Sequence, residues 1–231
     1  MCLLSGITWL LVDFLSGQTY SQAWIPYWNA TVRFIFFVVI ACLGASVQIH
    51  LQMEKLSART DPLTGLKNLR CFKEQGELLF RNAVRHQFPT AVGYIDLDGF
   101  KSINDTKGHE EGDHVLKMIG DFLLHYSRVG DVVARLGGDE FGVVLPNTDL
   151  PGVRVFFDRL HERLVRTMND NDWAVGFSIG VVVFIEQLPA FDNALKQADA
   201  LMYHVKKTGR NRVMYQQFPG VNTSVQKAGS H

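Results

Sequence analysis

Charge is nearly missing from the start of this 231-residue chain: up to Ile49 the only charged side chains are Asp13 and Arg33. Cysteine is scarce as well. Cys2, Cys42 and Cys71 form no CxxC pair, which argues against a disulfide framework or a cysteine zinc site. Neither sign of charge is in excess, with 23 Lys+Arg against 23 Asp+Glu. Nothing electrostatic therefore draws the chain as a whole to nucleic acid, and no nucleic-acid partner is expected. No internal repeat and no low-complexity segment is visible. From Gln52 onward charges become frequent and apolar residues periodic, so a boundary falls near residue 50.

What fills the uncharged part is two apolar runs, Met1–Leu15 and Phe34–Val47, the second lengthened by Val32 and Ile49. Each approaches the ~20 residues that cross a bilayer. Between them, over Gln18 to Asn29, lie Trp24, Pro26, Tyr27 and Trp28, and such amphipathic rings favour a membrane–water interface. Lys55, Arg59 and Lys67 follow the second run and by the positive-inside rule put the remainder in the cytoplasm. The expectation is a transmembrane region over 1–49, two helices left from a truncated sensory region, at the inner (cytoplasmic) membrane. Two buried helices of a soluble domain are the alternative. A cleaved signal peptide fits less well, because the first run lacks a basic lead. Residues 50–60 read as a helical signalling stalk, with Ile49, Met53 and Leu56 along one face.

Beyond residue 60 helical and strand-like segments alternate. Helices are expected up to about His86 and over Gly112–Tyr126, Pro151–Met168 and Phe191–Thr208. Strands are expected over Ala91–Leu97, Val132–Leu136, Phe141–Leu145, Trp173–Phe184 and Val213–Gln216. This predicts an α/β (α+β sandwich) fold over 61–216, a central, mostly antiparallel sheet flanked by helices. The small polar tail, 217–231, reads as disordered.

The chemistry gathers at Arg135-Leu136-Gly137-Gly138-Asp139-Glu140-Phe141. Gly137 and Gly138 make a turn that phosphates can approach, and Asp139 and Glu140 are hard oxygen donors suited to Mg²⁺. An ordinary hairpin with solvated acids is the bland alternative. Asp96 and Asp98 close an apolar strand. Asp113, taken alone, reads as the N-cap of the helix that follows. Lys101, Lys206 and Arg210, taken alone, read as solvated surface charges.

Six separated motifs then stand in order: Asp61 to Asn68 (DPLTGLKN), Asp96 to Asp105 (DLDGFKSIND), Gly108 to Asp113 (GHEEGD), the GGDEF run, Ser178 to Val181 (SIGV) and Ala198 to Asn211 (ADALMY-x-x-KKTGRN). Together they resemble the GGDEF domain of diguanylate cyclases, which make cyclic di-GMP from two GTP. The resemblance runs from Asp61 to about Val213. It implies a nucleotide-cyclase-like fold and a homodimer in which each subunit holds one GTP. Mg²⁺, with Mn²⁺ as a substitute, would be held by Asp96, the carbonyl of Leu97, Asp139 and Glu140. One of the hairpin acids would help deprotonate the attacking 3′-hydroxyl. Lys101, Lys206 and Arg210 would bind phosphate, with Gly137 and Gly138 beside it, and Asn104 and Asp113 would read guanine. Arg128 and Asp131, an RxxD pattern ending shortly before Gly137, match the family's inhibitory site for its product. The sequence departs from the family at Leu69, where Arg is usual and Arg70 follows instead. His109 reads as structural. A catalytically silent receptor for GTP or cyclic di-GMP is the competing reading, which the intact hairpin disfavours.

Overall fold

A computed structural model describes residues 22, 24–57, 59–185 and 188–218 of the chain. The first apolar run and the tail beyond Phe218 lie outside these residues. The chain divides into two compact units between Ala58 and Arg59.

The first unit contains helix α1, Ile25–Ser57. Its stretch Tyr27–Ile49 has a mean hydropathy of 2.2 and none of it is buried. By length and composition this helix can cross a membrane, since 23 residues rise about 35 Å. Helix formation begins earlier than the segment of aromatic residues suggested. Tyr27 and Trp28 lie in the first turn of α1, where Pro26 is tolerated because its missing N–H has no intrahelical partner. The Trp24 and Trp28 rings meet edge-on at 6.4 Å.

The second unit is built on a six-stranded sheet in the order β1-β3-β4-β2-β5-β6. The strands are β1 (Lys67–Asn68), β2 (Thr90–Asp98), β3 (Val132–Gly137), β4 (Glu140–Pro146), β5 (Gly176–Phe184) and β6 (Arg212–Phe218). The inner pairings β3–β4, β4–β2 and β2–β5 are antiparallel, while the edge strands β1 and β6 pair in parallel. The sheet is thus mixed, with an antiparallel centre. Helices α2 (Leu69–His86), α3 (Phe100–Lys107), α4 (His109–Tyr126), α5 (Leu150–Asp170) and α6 (Phe191–Lys207) flank it.

Alternation along the strands sorts two cores. Ala91, Ile95 and Leu97 of β2 join Phe177, Ile179 and Val181 of β5 beneath α4 and α5. Val92 joins Val182 and Phe184 beneath α2 and α6, where Phe72, Phe80 and Phe191 pack edge to face. Tyr94, Asp96 and Asp98 share that second face by the same period of two. Helix α6 lies directly on β5: a Cβ added at Gly180 would come within 2.3 Å of the Ala198 carbonyl oxygen and the Met202 nitrogen.

Several boundaries depart from expectation. Helix α4 starts at His109, not Gly112, so Asp113 is inside the helix and the N-cap position falls to Gly108. Asp113 is therefore not a cap. Strand β5 starts at Gly176, because Trp173 and Val175 form a tight turn in which the Val175 N–H donates to the Trp173 carbonyl at 2.8 Å. Helix α3 and the two-residue β1 were not expected as elements.

Candidate active site

Strand β2 carries Asp96, the most buried carboxylate among the described residues, to the sheet's end. The Asp96 side chain is 6% exposed, and its residue faces Glu140 across β4 and Ser178 across β5. Directly opposed residues hold their Cβ atoms about 5 Å apart, so Asp96 and Glu140 are neighbours. Asp96 Oδ1 is buried and meets no donor in ordinary hydrogen-bond geometry; what sits on it is the Lys206 ammonium, in a 2.5 Å ion pair. Lys206 belongs to the last turn of α6, where a helix favours cations. The Asp96 carboxyl is raised to about 6 overall: burial pushes it up most, Lys206 pulls it down, and Asp139 and Glu140 push it up. Asp96 thus feels both hairpin acids, as a carboxylate near like charges does.

The hairpin tip is held from beneath. Gly138 has φ +50, a conformation glycine adopts at little cost, and Arg135 donates to its carbonyl from Nε at 2.9 Å and Nη2 at 2.7 Å. Arg135 Nη1 also pairs with Asp61 Oδ1 at 3.2 Å. Burial opposes ionisation of Asp61, but bonds from the Thr64 hydroxyl and amide, with Arg135, outweigh it and hold that carboxyl below its ordinary value. On the other side the Leu97 N–H donates to the Asp139 carbonyl at 3.4 Å, tying the tip to β2. Tyr94, two residues before Asp96 on the same face, places its hydroxyl against Glu140. Burial first and that carboxylate second push its ionisation upward.

Asp98 ends β2. Its Oδ2 accepts from Ser178 Oγ at 2.7 Å and from the Asn211 N–H at 3.0 Å, while Arg210 Nε stands 4.0 Å from Oδ1. Asp96, Lys206, Glu140, Asp139, Asp98 and Arg210 therefore converge at one end of the sheet. The helical pair α3–α4 is a separate wall. There Asn104 lies against Gly112, where an added Cβ would be 2.0 Å from Asn104 Oδ1. Asp113 follows at once and is exposed, as is Lys101 on α3. Glu111 Oε1 accepts from the Trp173 indole at 2.7 Å and fixes the start of α4 against the entry to β5.

Arg128 and Asp131 are not part of this cluster. They form the turn before β3, about 17 Å along that strand from the hairpin. Asp131 accepts from the Arg128 backbone N–H at 2.9 Å, and burial pushes its carboxyl up.

The donors at the sheet end suit a divalent cation: a buried carboxylate oxygen without a hydrogen bond, two further carboxylates close by, and an ammonium already seated on the first. Among the described residues no group of three or more ligating side chains is already closed around one point. Asp61, Arg135, Ser178 and Asn211 lie inside the motifs, but no local pattern shows what these side chains hold, and Tyr94 lies outside every motif. The spacing of two between Tyr94 and Asp96 was the one available signal.

Comparison with known proteins bears on the family of the chain. The family model "Diguanylate cyclase, GGDEF domain" matches residues 58–212, more than half of the chain. The chain is 33% identical over 201 residues to "Uncharacterized protein YhcK" of Bacillus subtilis, covering 78% of this chain and 55% of that protein. It is 36% identical over 169 residues to "Probable diguanylate cyclase DgcT" of Escherichia coli K12, covering 71% and 37%. The chain thus spans about half or less of these curated relatives. Among solved structures, the GGDEF domain of DgcB from Caulobacter crescentus in complex with c-di-GMP superposes with a TM-score of 0.62 at 27% identity, covering 69% of this chain and 96% of that one.

Proposed function

The chain belongs to the GGDEF diguanylate cyclase family, and from that premise we propose that it condenses two GTP into cyclic di-GMP and two pyrophosphates. The observation that carries this reading is the buried Asp96 carboxylate, paired with Lys206 and set opposite Glu140 beneath the Gly137–Gly138 turn.

Asp96, the Leu97 carbonyl, Asp139 and Glu140 would hold a divalent cation, Mg²⁺ or Mn²⁺. When bound, that ion eases deprotonation of the ribose 3′-hydroxyl and offsets charge on the leaving pyrophosphate. Lys206 and Arg210 face the same sheet end and receive triphosphate oxygens, joined by Lys101 from α3. Lys206 would exchange its partner as it does so, moving from Asp96 to phosphate and leaving the Asp96 carboxylate free to act as a ligand. The backbone at Gly137 and Gly138 admits the phosphates without a side chain in the way. Asn104 and Asp113 take the guanine edge: Asp113 accepts from N1–H and the exocyclic amine, a pair of donors adenine does not offer. Glu140, near Tyr94, or Asp139 accepts the 3′-proton.

Each chain would hold one GTP, so reaction requires a second copy facing the first and the active form is a homodimer. Helix α1 would anchor it in the inner membrane, leaving the catalytic unit in the cytoplasm. Cyclic di-GMP would return to Arg128 and Asp131 as inhibitor, and saturating product should then slow the initial rate in the parent but not in Arg128→Ala.

The test is turnover of GTP by the full chain in lipid nanodiscs with Mg²⁺, beside Asp139→Ala, with products separated by chromatography. Cyclic di-GMP from the parent and none from the variant supports the reading. GTP binding without turnover in the dimeric parent replaces it with a receptor.

A further inference from the structure

Asp98 does not share the ion pair of Asp96, yet it is the better bonded of the two. Its side chain is 9% exposed. A single oxygen, Oδ2, takes both the Ser178 hydroxyl and the Asn211 amide. The other, Oδ1, is buried without a hydrogen bond and faces Arg210 Nε at 4.0 Å.

The segment that this carboxylate grips has an unusual backbone. Gly209, Arg210 and Asn211 all have positive φ, at 135°, 58° and 44°. Two successive residues other than glycine in the left-handed region are disfavoured, and persist only where the surroundings over-determine them. Here bonds at three points do so. The Arg210 N–H donates to the Val205 carbonyl at 3.0 Å, continuing the end of α6. Asn211 Oδ1 accepts from the Phe177 N–H at 3.1 Å, with His161 Nε2 also at 3.1 Å. The third is the bond from the Asn211 N–H to Asp98. The outcome is an Arg210 guanidinium that stays 69% exposed at the same sheet end as Lys206.

We propose that Asp98 is a positioning residue, clamping the Arg210–Asn211 backbone in its left-handed form so that the Arg210 guanidinium is aimed at a nucleotide triphosphate. The proposal rests on the cyclase reading for the identity of its ligand. Asp96 and Asp98 then divide the work along one face of β2. Asp96 meets Lys206 directly, whereas Asp98 acts on Arg210 through the chain that carries it. Ser178 orients the Asp98 carboxylate, and Phe177 and His161 hold the Asn211 side chain.

Two measurements on the full chain test this. Hydrogen–deuterium exchange over 208–212 in the ligand-free protein should accelerate in Asp98→Ala. It should change little in Asp98→Asn, whose one carbonyl oxygen can still take both bonds. Affinity for GTP should fall about tenfold in Asp98→Ala, the scale of one charge-assisted bond. Arg210→Ala should lose at least as much, and the double variant no more than Arg210→Ala. Guanosine, which has no phosphate, should bind the parent and all variants alike. Additive losses, or an equal loss for guanosine, would reduce Asp98 to a structural residue. Unchanged exchange overturns the clamp itself. A parent that binds no GTP, with exchange still altered, overturns the cyclase reading and the ligand-facing role while leaving the clamp. Should Asp98→Ala fail to fold, Ser178→Ala removes one of the two bonds and must give the same pattern more weakly.

Discussion

Arg135 and Asp61, 74 residues apart, form a part-buried ion pair whose guanidinium also holds the Gly138 carbonyl with two bonds. One side chain thereby joins the first motif to the glycine hairpin. Lysine carries the charge but not the fork, so Arg135→Lys cannot serve Asp61 and Gly138 together. The variant should fold, unfold about 1–3 kcal/mol more easily, and lose about tenfold or more in turnover of GTP. Denaturant unfolding beside a GTP turnover assay checks both.

Asp61 also gives the domain an acid sensitivity of definite sign. Its folded pKa lies below the ordinary 3.8, so its ionised form contributes stability in full above that value. The contribution is lost as pH falls through the lower folded value. The difference in unfolding free energy between the parent and Asp61→Asn should therefore be largest above about pH 4 and shrink on further acidification. A difference that grows towards acid would contradict the assignment.

Base selection should reside in Asp113. With Asp113→Asn the side chain no longer accepts from both guanine donors, and GTP affinity should fall by about tenfold or more. Inosine triphosphate, which lacks the exocyclic amine, should lose less. Parallel titrations of both nucleotides against parent and variant decide this, and equal losses would remove Asp113 from the guanine edge.

Gly180 sets how close α6 approaches the sheet. Gly180→Ala meets backbone atoms of α6 at 2.3 Å, which no side-chain rotation relieves. The helix must shift, at a cost of about 1–3 kcal/mol or more. Because α6 also carries Lys206, loss of thermal stability should come with weaker GTP binding. A calorimetric melting curve and a GTP titration on the same sample test the coupling.

The inner strands were legible from the sequence because the apolar runs of β2, β4 and β5 are long and bounded by glycine, proline or acids. The cluster of Asp96 with the hairpin acids followed from placing those strands side by side. Helix α3 was not legible. It is eight residues long between Gly99 and Gly108, both at positive φ, and buries only Ile103. The start of α4 was misplaced because Gly112 looked like a break, although Glu110 and Glu111 mark a helix's first turn. There Gly112 instead makes room for Asn104. The bonds from Arg135 to Asp61 and from Asp98 to Asn211 span too much chain for any local pattern to announce them. The departure at Leu69 falls on the first residue of α2, whose cap is nonetheless supplied by Asn68 accepting from the Cys71 N–H at 2.9 Å.

Strand β2 is paired on both sides over most of its length, and Asp96 sits inside it rather than on a loop. Partial opening of a protein proceeds from its least protected parts, and the middle strand of a sheet is the last to go. Displacing the backbone at Asp96 should therefore require more of the sheet to open than displacing the hairpin tip, although its pair with Glu140 is the last of the β2–β4 ladder. Fast control of the site should fall to the parts that open more cheaply, the hairpin tip and the segment after α6.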